Sequence, residues 1–173
     1  GRIRASVSFD DDDRRAAFVE AQARFAAGEA VAVGGQAPIA ALSRAFGPAS
    51  TQDDWTGVRK CLADEFAYHD RRTLGLGMLS RDEWIESVAA LYALAPDVRV
   101  ESLRILTWNR HGRVDVQRGI GTMPSGGGPF ENVLVRVVVT DGPCIQRYEV
   151  FDIGDADQAL ARFAELCRQC TSA

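Results

Sequence analysis

The sequence has no apolar run of the roughly 18 residues that a membrane-spanning helix needs, and its first residues contain no apolar signal-peptide core. Lysine is almost absent, since Lys60 is the single lysine and arginine supplies the remaining positive charge. The net charge of −4 argues against a surface for nucleic acid or anionic membrane. These absences predict a cytoplasmic protein that binds neither nucleic acid nor membrane, and the arginine bias indicates a GC-rich genome.

Histidine and cysteine are too few and too scattered to indicate a metal centre. The four cysteines have no regular spacing, which predicts reduced thiols; they are Cys61, Cys144, Cys167 and Cys170. The last two have the spacing of a zinc-binding pair, but no second pair accompanies them and the only histidines are His69 and His111. We therefore expect no metal and no cofactor.

The length of 173 residues and the apolar fraction of 46% suit one main domain with its own core. An acidic run at residues 10–13 and an amphipathic pattern behind it predict an N-terminal helix. Residues 29–37 resemble a flexible connector. We expect residues 1–37 to be a helix-and-linker appendage, residues 38–173 to be the main domain, and the whole to be a piece of a longer protein.

Helical patterns open the main domain. Apolar spacing predicts one helix at residues 38–46 and a second at residues 51–62. Ser80 and Glu83 form the strongest capping box in the chain, and an apolar face follows them as far as Pro96. A long helix is therefore predicted from Ser80 to Pro96.

Beyond Pro96 the apolar period changes to two residues. It predicts four successive strands at about residues 98–108, 113–123, 130–140 and 144–153. Turn-forming residues between them, above all Asp141-Gly142, indicate hairpins, and Gly154-Asp155 opens a last helix. This order predicts an α+β fold in which a curved antiparallel sheet wraps around helices as a cone.

The order of elements and one stretch of sequence carry a resemblance to a known family. Leu62-Ala63-Asp64-Glu65-Phe66, leading into Tyr68-His69-Asp70, resembles the SnoaL-like and ketosteroid-isomerase-like branch of the nuclear-transport-factor-like superfamily. The resemblance covers about residues 38–153. Residues 68–99 are also similar to SnoaL-like domains within large bacterial regulators and cyclase-like proteins. The resemblance implies a cone-shaped sheet around a small-molecule pocket.

The resemblance places Asp70 where ketosteroid isomerases carry the aspartate that moves the proton. Burial in an apolar cone would raise the pKa of this carboxyl towards the working pH, as a general base requires. The usual partners are missing: residues 39–46 contain no tyrosine, and Leu134 to Val137, in the predicted strand at residues 130–140, replace the expected acid. The histidine and aspartate of SnoaL-type cyclases and the arginine-and-two-aspartate set of limonene epoxide hydrolases are also absent.

Residues 66–70 alternate between two faces as a strand does, which places Tyr68 on the face of Asp70 and His69 on the opposite face. His69 can assist Asp70 only if the strand has ended there; otherwise it is a structural histidine. Asp70 either serves a pocket or forms an ion pair with a neighbouring arginine. Tyr68 either lines the cavity or packs in the core, and Trp84 is expected in the core first and as pocket wall second.

The predicted strand at residues 130–140 indicates which face of the sheet lies against the core and which face meets a partner. Alternating valines at 133, 135, 137 and 139 are expected to face the core, which puts Glu131 on the same side, either at the mouth of the cone or exposed. The opposite, mixed face is expected to meet a partner sheet in a homodimer; it carries Asn132, Leu134, Arg136, Gln146, Tyr148 and Asp152.

Three functions follow from these residues. The first is a small-molecule-binding SnoaL-like domain, sensory or accessory within a larger bacterial system, for an apolar or carbonyl-containing ligand. The second is a cofactor-independent isomerase, cyclase or dehydratase with Asp70 as base and His69 or Tyr68 assisting. The third is a dimerisation module whose cone is filled by side chains.

Overall fold

The computed structural model describes residues 6–10, 13, 16–17, 20–21, 23–24, 55–123, 126–141 and 144–171. The chain divides into two compact units, residues 1–35 and 36–173. In the first unit, residues 16–17, 20–21 and 23–24 are helical as predicted, and Glu20 pairs with Arg24 at 2.7 Å. The predicted helix at 38–46 and the predicted domain boundary lie outside the described residues.

The second unit contains three α-helices and six strands among its described residues. In chain order they are α1 Trp55–Lys60, β1 Leu62–Asp70, β2 Gly77–Ser80, α2 Arg81–Leu94, β3 Arg99–Asn109, β4 Gly112–Met123, β5 Gly128–Asp141, β6 Cys144–Asp152 and α3 Ala156–Thr171, with a 3-10 turn Ile153–Asp155 before α3. The four strands expected after Pro96 and the last helix are confirmed. The first part of the predicted helix at 51–62 lies outside the described residues, and its last residues belong to β1.

The six strands form one curved sheet in the order β2-β1-β6-β5-β4-β3. Neighbours are antiparallel except β1 and β6, which are parallel, so the expected antiparallel sheet is mixed. A parallel pair needs a long crossover, and here α2 and the three strands β3 to β5 supply it. The structure also contains a strand that is not predicted from the sequence, β2, in which Gly77–Ser80 pair with the end of β1.

The predicted capping box at the start of α2 is confirmed. Ser80 Oγ accepts from the backbone N–H of Glu83, while the Glu83 carboxylate accepts from the backbone N–H of Ser80 at 2.8 Å. These two bonds satisfy N–H groups that a helix start leaves open. The start of α2 is thereby fixed, and its buried residues Trp84 and Ile85 face the sheet.

The sheet is buried on both faces, which we call inner and outer. The inner face packs against α1 and α2, with Tyr68, Val138 and Tyr148 in its core. The outer face packs against α3, and Val135 and Val137 lie in that second core. Burying apolar surface on both faces stabilises the sheet between two helical layers.

The valines of β5 lie in a different core from the one expected. Val135, Val137 and Val139 do face a core, but they contact Phe163 and Leu166 of α3 on the outer face, not the interior of the cone. On the opposite face, expected to meet a partner sheet, Arg136 and Tyr148 are instead buried within the chain, whereas Asn132 is exposed. Because β5 is apolar on both faces, alternation alone could not tell the two cores apart.

The remaining predictions concern cysteines, membrane and metal. All four cysteines are free, as the spacing predicts, and Cys170 is exposed. Within the described residues, no helix has the length and apolarity to cross a bilayer. Nor do those residues bring together three or more histidine, cysteine or acidic side chains in a way that could hold a metal ion.

Candidate functional site

Asp70 ends β1 on the inner face, where the alternation predicts it, and its side chain is fully buried. The loop after β1 wraps around the carboxylate. Arg72 donates from its side chain to both oxygens at 2.8 and 2.7 Å, and the backbone N–H groups of Arg72 and Leu76 donate at 3.2 and 3.1 Å. Gly75 permits this wrapping, because a Cβ there would lie 2.5 Å from the Asp70 carboxyl.

The electrostatic state of Asp70 differs from the expectation for a general base. Burial alone would raise the pKa of its carboxyl, but the hydrogen bonds from Arg72 and Leu76 outweigh burial and hold that pKa below its ordinary value. The raised pKa that a general base at this position requires is therefore absent. The ion pair with Arg72, an alternative predicted from the sequence, is present at 2.7 Å.

Tyr68 and Trp84 belong to an aromatic cluster on the inner face. Ring centroids lie 5.7 Å apart between Tyr68 and Tyr148, 5.6 Å between Trp84 and Tyr148, and 5.4 Å between Phe66 and Trp84. Burial first, and the Asp70 charge second, raise the pKa of the Tyr68 hydroxyl. The cluster fills the space between α2 and β1, so both residues pack in the core as anticipated; their contact with a ligand stays a prediction.

His69 lies on the outer face, opposite Asp70. It is paired in the sheet with Met78 on one side and Glu149 on the other. Burial first, and Arg71 second, lower the pKa of its imidazole. The structure therefore does not bring His69 to the Asp70 carboxylate, and assistance to a base there has no geometric support.

Glu131 shares the outer face with the valines of β5, because it is paired with Ile120 across the sheet. Its side chain is 56% exposed and lies 3.7 Å from Arg118. With Asp97, Arg99 and Phe130 it lines an open depression of about 450 Å³. Glu131 therefore does not stand on the face of Asp70, and its contact with a ligand stays a prediction.

A second buried polar group on the inner face was missed by the sequence predictions. Asp115 of β4 is fully buried and faces Arg136 of β5, which donates from Nε at 2.8 Å and from Nη2 at 2.6 Å. Ser102 of β3 donates to the same carboxylate at 2.7 Å. Arg113, two residues before Asp115 on the same strand, approaches it at 3.3 Å. Two guanidinium groups thus share one buried carboxylate.

Gln117 and Tyr148 join this polar group to the aromatic cluster. The Tyr148 hydroxyl donates to the Gln117 side-chain oxygen at 3.0 Å, and Arg136 stacks over the Tyr148 ring at 5.5 Å. A charged group therefore lies directly against the buried aromatic cluster. Arginine over an aromatic face is itself a favourable contact.

Charge and burial set the protonation of this group. Burial opposes the charged form of Asp115, but Arg136 outweighs it, so the pKa of the carboxyl is lowered. Burial likewise opposes the charged form of Arg136, but the charge of Asp115 outweighs burial, so the pKa of the Arg136 guanidinium is raised above its ordinary value. Burial and the neighbouring Arg136 lower the pKa of Arg113 to about 10. All three groups are charged at neutral pH.

The sequence does carry a signal for this group. Arg113, Asp115 and Gln117 stand at alternate positions of one strand, separated by Val114 and Val116. Valines directed to a core on one face leave the polar residues on the other. Polar residues that alternate with valines ordinarily face solvent. Only the structure shows that this second face of the sheet is buried and that its polar residues are buried with it.

No protein-family model and no curated protein matches the sequence. Many solved structures share its fold, and three of them are given as examples. An NTF2-like protein from Anabaena variabilis is 15% identical, with a TM-score of 0.52 over 65% of this chain and 81% of that one. A protein of ketosteroid-isomerase-like fold from Catenulispora acidiphila, in complex with trimethylamine, is 15% identical, with a TM-score of 0.53 over 67% and 85%.

The third structure is described as a SnoaL-like polyketide cyclase from Jannaschia. It is 15% identical, with a TM-score of 0.52 over 66% of this chain and 83% of that one. Likeness at this identity establishes the fold. The predicted α+β cone and its resemblance to SnoaL-like and ketosteroid-isomerase-like structures are therefore confirmed at the level of the fold.

Proposed function

We propose that this chain is a small-molecule-binding domain of the SnoaL-like type, with an accessory or sensory role in a larger system. Its ligand binds the inner face of β3 and β4, beside the group formed by Asp115, Arg136 and Arg113. The observation that carries the proposal is this buried charged group. Burying three charges costs free energy that an apolar core would not, and such groups concentrate at functional sites.

The surface beside the group is suited to an apolar ligand. Ile105 is paired with Asp115 across the sheet and Trp108 with Arg113, so both share the inner face with the charges. They are 51% and 52% exposed, so about half of each side chain is left uncovered beside the charged group. Exposed apolar side chains around a few polar groups are typical of sites for small molecules.

Binding is better supported than proton transfer by Asp70. Its carboxylate accepts from Arg72 and from the backbone of Leu76, and its pKa is lowered. A carboxylate held in this way is a weak proton acceptor, since protonation would break the ion pair. We therefore assign Asp70 the task of holding the loop after β1 and propose a binding function.

A thermal-shift screen of small carbonyl-containing and aromatic compounds tests the proposal. We expect several compounds to raise the Tm of the wild-type protein and to lose this effect in Trp108→Ala. Ile153→Ala is the matched control, because Ile153 is 52% exposed but lies in the turn before α3. The proposal fails if no compound raises the Tm, or if the shifts survive in Trp108→Ala.

Homodimerisation stays a prediction. The mixed face on which it was predicted is occupied by the chain's own core, since Arg136 and Tyr148 are buried. Light scattering at micromolar concentration decides the matter: twice the chain mass supports a dimer, and the mass of one chain refutes it.

A further inference from the structure

We propose that the ligand of this inner-face site is an anion, a carboxylate, phenolate or enolate on an aromatic or apolar body, and that Arg113 binds its negative group. The inference rests on the proposed function, because it names the ligand class of the same site. It follows from the charge balance of the buried group, the geometry around Asp115 and the position of Arg113.

The buried group carries an excess positive charge. Arg136 and Arg113 face one carboxylate, and Asp115 is the single carboxylate ion-paired with Arg113 among the described residues. An uncompensated charge is costly where water is scarce, and it is relieved by a counter-charge brought to it. An anionic ligand supplies that counter-charge.

Asp115 cannot satisfy both arginines. Arg136 takes both of its oxygens in a two-bond contact at 2.8 and 2.6 Å, and Ser102 adds a third bond at 2.7 Å. Arg113 reaches the carboxylate only at 3.3 Å through one terminal nitrogen. The strong, paired geometry that guanidinium groups make with carboxylates is thus used by Arg136, and Arg113 retains unused donors.

The Nε–H group of Arg113 is the clearest unused donor. It is buried and meets no hydrogen-bond acceptor among the described residues. Of the three charged side chains, Arg113 is also the most exposed, at 16% against 6% for Arg136 and none for Asp115. Arg113 is therefore the member of the group that an arriving ligand meets first. Its pKa, lowered to about 10 by burial and by Arg136, reflects the missing counter-charge.

The body of the ligand is set by the neighbouring strand. Trp108 is paired with Arg113 and Ile105 with Asp115, and both apolar side chains are about half exposed. A flat aromatic ring or an apolar body can cover these side chains while its anionic group reaches Arg113. A small inorganic anion would leave Trp108 and Ile105 uncovered, so we infer an organic anion.

The test compares 2-naphthoate with 2-naphthamide, which has nearly the same shape without the charge. Calorimetric titration of the wild-type protein at low ionic strength is expected to show about tenfold tighter binding of the acid, as a charge-assisted hydrogen bond in a buried site supplies. This comparison needs no mutation and so does not depend on the folding of a variant.

Two arginine variants locate the effect. Arg113→Met keeps an unbranched side chain of similar reach and removes the charge, so we expect it to abolish the preference for naphthoate. Arg118→Met is the control, because Arg118 lies on the same strand but pairs with Glu101 on the outer face. It is expected to retain the preference. Circular dichroism confirms that both variants are folded.

The outcomes separate the two proposals. Equal binding of acid and amide overturns the anionic ligand and leaves the binding function standing. A naphthoate preference that Arg113→Met does not change overturns the assignment of Arg113 as the group that binds the anion. If neither compound binds and the thermal-shift screen also finds no ligand, both proposals fail. If the screen finds only neutral or cationic ligands, the anion proposal alone fails.

Discussion

The two faces of the sheet each bury a carboxylate among arginines, but the surroundings differ. On the outer face, Glu149 of β6 accepts from Arg71 at 2.6 Å and from Arg162 at 3.1 Å. These arginines come from the loop after β1 and from α3, so the group joins separate elements. On the inner face, Asp115 and Arg136 lie on two strands whose backbones are already paired.

This difference indicates what each group is for. The outer group ties α3 and a loop to the sheet, which is a structural task. The inner group connects strands that their own hydrogen bonds already hold, so it contributes little to the architecture while it still costs desolvation. A costly group without a structural task is the better candidate for binding. Three variants and one change of pH test this difference between the inner and outer groups.

The largest effect is expected for Asp115→Asn. It leaves Arg136 and Arg113 buried without a carboxylate, and removing one partner of a buried ion pair costs about 3–5 kcal/mol of unfolding free energy. Urea denaturation measures it. The triple variant Asp115→Leu, Arg136→Met and Arg113→Met leaves neither arginine charge without a carboxylate, and it should recover most of that loss because the strands need no ion pair. A triple variant as unstable as the single one would assign the inner group a structural task.

Glu149→Gln is expected to cost less, about 2–3 kcal/mol, because its arginine partners are partly exposed and water compensates them. The same denaturation experiment measures it. Glu165→Gln is the control, since this exposed partner of Arg162 should contribute about 0–0.5 kcal/mol. Equal losses at Glu149 and Glu165 would show that the outer group does not hold α3.

Gly75→Ala tests the wrapping of the loop around Asp70. The new Cβ would lie 2.5 Å from the carboxyl, and relieving such a contact costs about 1–3 kcal/mol. Gly154→Ala is the control, because nothing lies within 4 Å of its Cβ position. A stability equal to that of the control would show that the loop does not need the close approach to Asp70.

The smallest effect is expected from mild acid. The pKa values of Asp70, Asp115 and Glu149 are lowered by their arginine partners, so their stabilisation is complete above the ordinary carboxyl pKa and is lost as pH falls below it. Between pH 7 and 5, protonation of these three carboxylates should lower the free energy of unfolding by only about 0.3 kcal/mol in total, and the loss should become steeper below pH 4. Urea denaturation at each pH measures it. Stability that rises on acidification would contradict the lowered pKa values.

The sequence predicts the elements of this fold well. Ser80 and Glu83 define the start of α2, and alternation defines β3 to β6, because capping and period are local properties of the chain. The same alternation places Asp70 and Tyr68 on one face and His69 on the other. These predictions depend on neighbours in sequence, and the structure confirms them.

The errors concern contacts between distant parts of the chain. Val135 and Val137 give no sign of which helix covers them, so the outer face was taken for the inside of the cone. Arg136 is therefore placed by the sequence pattern on a face that meets a partner sheet, and the pairing of Arg136 with Asp115 is not predicted. The lowered pKa of Asp70 depends on the bend that brings Arg72 and Leu76 back to it, which no periodicity encodes.

The most direct test is a crystal structure of the protein grown with millimolar 2-naphthoate. We predict that the carboxylate lies within hydrogen-bond distance of the Arg113 guanidinium and that the ring covers Ile105 and Trp108 on the inner face. A naphthoate bound on the outer face beside Glu149, or an inner face without naphthoate at that concentration, would contradict the assignment of the ligand site.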